Sequence, residues 1–170
     1  MCVPLFIYKE GKYMEEKYMK LALKEAMKAE AIDEVPVGAV IVKDGKIIAK
    51  AHNLREKTHM ATAHAEILAI EKACKKLGDW RLEGCSMYVT LEPCAMCAGA
   101  GILSRIEKIV YGATDKKGGA IHSCMQMYDV KGFNHYPKIE SGVMEEECSS
   151  ILKEYFRKKR INNKQNDNNQ

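Results

Sequence analysis

The sequence predicts an α/β protein, a three-layer α/β/α sandwich around a central mixed five-stranded sheet. Three observations predict it. Two β-rich runs flank Asp44-Gly45, a strong hairpin signal. Beyond that hairpin, strand-like and helix-like segments alternate along the chain. The helix-like segments carry apolar residues at helical spacing, so each needs a sheet face to cover.

The elements follow in order. Residues 14–30, MEEKYMKLALKEAMKAE, place Met14, Met19, Ala22, Leu23, Ala26 and Met27 at helical spacing among strong helix formers. Residues 1–13 fit poorly in front of that helix and read as an N-terminal extension. Val40, Ile41 and Val42 form the first strand, and Lys46 to Ala51 the return strand. A polar loop, NLREKTHMAT, leads to His64. Residues 64–77 read as a helix with Ile67, Leu68, Ala69, Ile70, Ala73 and Leu77 on its apolar face, stopped by Gly78. Residues 86–92, SMYVTLE, read as a buried strand. Pro93 is expected to open the next helix, Cys94 to Leu103. KIVYGA at 108–113 is a fourth strand. Residues 120–138 look irregular, with one helical turn near Cys124–Tyr128. KIESG, from Lys138, is a short last strand, and Met144 to Lys159 a last amphipathic helix. Residues 161–170 are polar and expected to be disordered. One domain over 14–160 is the resulting expectation.

Composition narrows the function classes. At 170 residues the chain suits a single domain with a substantial core. Its 46% apolar and 29% charged residues fit a soluble protein. No apolar run approaches the roughly 18–20 residues that span a bilayer. The patch Val3 to Tyr8 lacks the basic flank and cleavage site of a signal peptide. Seven cysteines, an odd number without an export signal, favour reduced thiols in the cytoplasm over a disulfide framework. The net charge of +4 is modest, but Lys153, Arg157, Lys158, Lys159, Arg160 and Lys164 crowd the C-terminal end. On charge alone a solvated helix end is favoured over a phosphate-binding edge.

T-A-H-A-E at 62–66 and E-P-C-A-M-C at 92–97 carry the chemistry. A C-x-x-C pair alone could be a redox dithiol, but that gives His64 and Glu66 no role. Together the two segments suit a zinc site. Cys94 and Cys97 are three apart, on one face of a helix whose N-terminus favours thiolates. His64 can be a third ligand, which leaves one tetrahedral position open, as catalytic zinc requires. Glu66 can stand beside that position without ligating and move protons. Two alternatives stay open: a closed structural site with His59, Cys74, Cys85 or Cys124 as fourth ligand, and a metal-free pair of buried cysteines. Cys2, Cys74, Cys85, Cys124 and Cys148 taken singly read as inert thiols. His52, His59, His122 and His135 read as structural.

H-A-E followed by P-C-A-M-C resembles the zinc-dependent nucleoside and nucleobase deaminases. That pattern is the superfamily's own signature. The closer resemblance is to the bacterial tRNA-specific adenosine deaminases, over about Tyr18 to Arg160. It rests on E-V-P-V-G-A-V at 34–40, His52-Asn53, T-A-H-A-E-I-L at 62–68 and Y-V-T-L-E-P-C-A-M-C-A-G-A at 88–100. S-R-I at 104–106, Y-G-A-T-D-K-K-G-G at 111–119, F-N-H at 133–135 and Y-F-R-K-K-R at 155–160 extend it. One departure stands out. Met60-Ala61 occupy the place where the family commonly has Asp-Pro, which frees the backbone of the loop entering the site.

The resemblance implies a cytidine-deaminase-like fold and hydrolytic deamination of adenosine to inosine at the tRNA wobble position. It implies one zinc per subunit held by His64, Cys94 and Cys97, with Glu66 as proton shuttle. Asn53 and the backbone of Ala65 would hold the target nucleoside. Asp115 and Lys117 would meet neighbouring anticodon nucleotides, and Asn134, Phe156 and Arg157 would grip the RNA. It also implies a cytoplasmic homodimer whose partner is the tRNA anticodon stem-loop, with no membrane. Two alternatives remain: a deaminase of guanine or another free base or nucleoside on the same fold, and a non-catalytic zinc module that binds RNA.

Overall fold

The computed structural model describes residues 5–167, and the side chains of residues 13–165. Helix α1 spans Leu5–Ala31. Strands β1 (Gly38–Lys43) and β2 (Lys46–His52) form the hairpin. A short helix α2 (Arg55–Thr58) precedes α3 (Ala65–Leu77). Strand β3 (Cys85–Leu91), helix α4 (Ala95–Leu103), strand β4 (Lys108–Ala113), strand β5 (Lys138–Ser141) and helix α5 (Glu145–Asp167) complete the chain. The sheet order is β2-β1-β3-β4-β5. β1 is antiparallel to β2 and β3, whereas β3, β4 and β5 run parallel. The mixed five-stranded sheet is thus as expected.

Strand alternation explains the layers. Ala39, Ile41, Met87, Val89, Ile109 and Tyr111 face α3 and α4, where Ala65, Ala69, Ala73 and Ala98 complete one core. Val40, Val42, Tyr88 and Val110 face α1 and α5, where Tyr18, Met19, Ala22 and Cys148 complete the other. The hairpin turn places Asp44 and Gly45 at φ 49° and 71°, the left-handed pair that its sequence signals. Gly38 lets α1 cross the sheet closely: a Cβ there would lie on the Ala22 carbonyl oxygen and 2.5 Å from the Ala26 nitrogen.

Several boundaries differ from expectation. α1 begins at Leu5, inside the segment read as an extension, and residues 1–4 of that segment lie outside the described residues. α5 runs on to Asp167, through most of the stretch expected to be disordered; residues 168–170 lie outside the described residues. Lys, Arg, Asn and Gln suit a solvated helix well enough to continue one already nucleated. Pro93 does not open α4. Cys94 has extended backbone, with φ −72° and ψ 174°, so it is the cap residue and the helix starts at Ala95. The loop 53–62 contains α2, and the helical turn in the irregular stretch is Met127–Asp129.

The topology gathers one edge of the sheet. β3 and β4 are parallel, so their carboxyl ends lie together. β1 is antiparallel to β3, so its beginning and the end of β2 come to the same edge. Such an edge, outside the carboxyl ends of parallel strands, is where open α/β sheets bind ligands.

Candidate active site

His64 caps α3 and Cys94 caps α4, both with extended backbone. Their side chains project from helix N-termini toward each other, where helix dipoles favour anions. Cys97 lies one turn into α4. The His64 Nδ1 stands 3.7 Å from the Cys94 Sγ and 3.6 Å from the Cys97 Sγ. These three donor atoms all lie within 4.8 Å of one another and form a group that could hold a metal ion. Among the described residues, none of the other candidate ligands joins the group. Cys2 lies outside the described residues. The loop carrying Met60-Ala61 is pinned despite lacking proline: Leu54 N–H donates to the Ala63 carbonyl at 3.0 Å, and Ala63 N–H to that of Met60 at 3.0 Å.

Without a metal the three donors share protons, which a bound cation would displace. The Cys94 thiol is pulled down to about 4, chiefly because Cys97 donates to its sulfur. Cys97, which keeps the shared proton, is pushed up. The hydrogen bond to Cys94 raises the His64 imidazole. Glu66 is 4% exposed, and burial holds its carboxyl above the usual carboxylate range. Such a group can carry a proton that an exposed glutamate would have lost.

A cavity of about 150 Å³ opens onto His64, Cys94 and Glu66, and is walled by Val35, Val37, Asn53, Leu91 and Asp115. Asn53 is buried and donates through Nδ2 to Glu34 at 3.0 Å. Ala65, fully buried, begins α3 between His64 and Glu66. A larger groove of about 610 Å³ shares Val35, Leu91 and Asp115 with the cavity and extends along Lys117, Lys153, Phe156 and Arg160. The structure thus brings Asn53, Ala65, Glu66, Asp115 and the three donors together, and places Lys117 and Phe156 in the adjoining groove. It brings neither Asn134 nor Arg157 there. Arg157 pairs with Glu154 at 2.9 Å, and Asn134 is an exposed residue of the loop before β5. Lys158 and Lys159 pair with Glu30 and Asp33. Of the two neighbouring aromatics, Tyr155 is buried and Phe156 exposed.

Two residues without a role in the sequence reading matter here. Glu34, fully buried, accepts from Asn53 and from Lys57 N–H at 2.7 Å, and so fixes the Asn53 amide. Glu92, 2% exposed, accepts from the loop after β4. Burial works to raise the Glu92 carboxyl, but donors from Ser123, His122 and Asp115 outweigh it and hold the carboxyl low. The only hint in the sequence is that Glu34 stands next to Val35 in E-V-P-V-G-A-V and Glu92 next to Pro93 in E-P-C-A-M-C.

Known proteins resemble the chain closely. The MafB19-like deaminase family matches residues 14–160. The chain is 57% identical over 146 residues to the tRNA-specific adenosine deaminase of Bacillus subtilis (strain 168), a match covering 86% of this chain and 91% of that one. A solved structure from a study of A-to-I editing by tRNA:A34 deaminases at the wobble position of transfer RNA superimposes with a TM-score of 0.78 at 47% identity. It covers 80% of this chain and 99% of that one. Guanine deaminase from Bacillus subtilis superimposes with a TM-score of 0.57 at 44% identity, over 58% of this chain and 64% of that one.

Proposed function

We propose that this chain, which belongs to the MafB19-like deaminase family and to the tRNA-specific adenosine deaminases, converts adenosine to inosine at the wobble position of tRNA with zinc as cofactor. One observation carries the reading: three nitrogen and sulfur metal donors converge beside a cavity that is also lined by a buried glutamate. The donors fit zinc. With Zn–N of about 2.0 Å and Zn–S of about 2.3 Å, tetrahedral nitrogen and sulfur donors stand about 3.5 Å apart. The separations here are 3.6 and 3.7 Å.

His64, Cys94 and Cys97 hold the metal. Zinc, when bound, supplies Lewis-acid chemistry that brings the pKa of water down to about 7. Glu66 takes the proton that the attacking water gives up and delivers it to N1 of adenine. It then carries the second water proton, from the C6 hydroxyl, to the 6-amino group; the C6–N bond breaks, ammonia departs and the C6–oxygen bond becomes the carbonyl of inosine. Asn53, its amide fixed by Glu34, orients the nucleoside, and the Ala65 backbone meets the base. The groove takes the flanking nucleotides: Lys117, Lys153 and Arg160 face phosphate, Phe156 offers a stacking face and Asp115 stands at the junction. A single-stranded loop presents its base at little unstacking cost.

The same groove favours RNA over free guanine, because a small base needs no phosphate contacts. Glu66 argues against a non-catalytic zinc module, which has no use for a buried carboxylate beside its metal. A homodimer would give Asn134 and Arg157 a place on RNA bound to a second subunit. Leu103, Met125, Val130, Phe133 and Tyr136 support it, as exposed apolar side chains on α4 and the 125–136 segment. A tRNA substrate also supports a cytoplasmic location. No helix among the described residues is long and apolar enough to cross a membrane.

The deciding experiment offers an anticodon stem-loop with A at the wobble position beside free guanine, adenosine and cytidine. Inosine from the stem-loop alone is expected. Turnover of guanine with the stem-loop untouched would move the protein to nucleobase metabolism.

A further inference from the structure

Glu92 is a carboxylate held almost entirely by backbone donors. Its Oε1 accepts from the N–H groups of Ile121, His122 and Ser123 at 3.2, 2.7 and 3.0 Å. Its Oε2 accepts from Asp115 N–H at 3.1 Å and from the Ser123 hydroxyl. Among the described residues, no lysine or arginine pairs with it. A buried charge without a counter-ion is costly unless its lone pairs are filled, and here five donors fill them. All five come from one stretch, 115–123, that follows β4.

That stretch is built onto the metal-donor segment. Ala120 N–H donates to the Pro93 carbonyl at 2.8 Å, and Cys94 bridges Gly119. Gly119 leaves room for the carboxylate, since a Cβ there would overlap Glu92 and lie 2.6 Å from the Asp115 carbonyl oxygen. Asp115 in turn accepts from Lys117 N–H at 3.0 Å. Asp115 lines both the cavity and the groove, and Lys117 lines the groove.

We propose that Glu92 is a positioning residue for substrate entry: its carboxylate fixes the 115–123 loop, and through it Asp115 and Lys117, at the junction between cavity and groove. Its action is on the grip of the RNA and not on the chemical step. The RNA part of this rests on the function proposed above; the loop-fixing part does not.

Glu92→Gln tests both. Glutamine keeps one acceptor oxygen and cannot serve both sets of donors. The variant keeps its zinc content, and the Asp115 amide exchanges with solvent at least about tenfold faster. On the stem-loop, KM rises about tenfold while kcat stays within about threefold, the pattern of lost uniform binding. Unchanged Asp115 exchange overturns the proposal. So does a loss of activity that tracks zinc loss, or one that falls on kcat with KM unmoved. Ser123→Ala, which removes one donor from an exposed loop residue, serves if Glu92→Gln does not fold; faster Asp115 exchange is again expected, and no change overturns the proposal. If the unaltered protein leaves the stem-loop untouched, the proposed function fails while the exchange result still decides the role of Glu92.

Discussion

At the scale of single residues, the account rests on Glu66 and the three donors. Positioned acid–base groups contribute about 10²–10⁴-fold to rate, so Glu66→Gln should lower kcat by that factor. Cys97→Ser should lose zinc, because an alcohol is a far poorer ligand than a thiolate; metal analysis of the purified variant checks it. Chelation should abolish deamination, and zinc should restore it. Much of this site was legible in the sequence because both halves are local. His64 and Glu66 share the start of one helix, as Cys94 and Cys97 share the start of another, so short motifs report them. Glu34 and Glu92 were not legible. Their partners lie 19 to 31 residues away in sequence, and a glutamate in a motif looks the same whether exposed or buried. Asn134 and Arg157 could be named from resemblance, yet nothing local tells whether they reach the site of their own chain.

Elements obey the same division. The hairpin and the strand–helix alternation were readable because Asp44-Gly45 and the apolar periodicities are short-range signals. Helix ends were not. α1 begins well before the apolar periodicity that announces it, α5 runs on through polar residues that leave no stop signal, and the cap at Cys94 depends on backbone angles that proline only hints at. Gly38 shows how an element is fixed by contact across the sheet. Its missing Cβ sets the depth at which α1 packs on β1. Gly38→Ala should destabilise the fold by about 3 kcal/mol, because the clash is with helix backbone and no side chain can swing away. Urea denaturation should show a lower midpoint with an unchanged slope.

For the whole molecule, two electrostatic predictions follow from how charges pair. Glu25 accepts from Lys28 of its own helix at 2.7 Å and ties α1 to β2 by contacting His52 at 3.1 Å. Burial works to raise its carboxyl, but these partners outweigh it and hold the carboxyl below the ordinary 4.5. A depressed carboxylate stabilises the fold above its unfolded pKa, and that contribution is lost as pH falls through the folded value. The stability gap between the parent and Glu25→Gln should therefore narrow on acidification from about pH 5 to about pH 3, as thermal unfolding would show. At the other end, Lys153 and Arg160 line the groove and form no ion pair among the described residues, unlike Arg157, Lys158 and Lys159. RNA affinity should fall with salt, and Arg160→Gln should make that dependence shallower by about one unit of slope. Arg157→Gln should change it less within one subunit.

The central claim is that one cavity unites a zinc ion with a proton-shuttling glutamate that acts on wobble adenosine. The most direct test measures zinc content and inosine formation on an anticodon stem-loop, side by side, in the protein and in Glu66→Gln. The account predicts about one zinc per chain in both, with inosine formed only by the unaltered protein at an appreciable rate. Undiminished turnover by Glu66→Gln, or full turnover by protein stripped of metal, would contradict it.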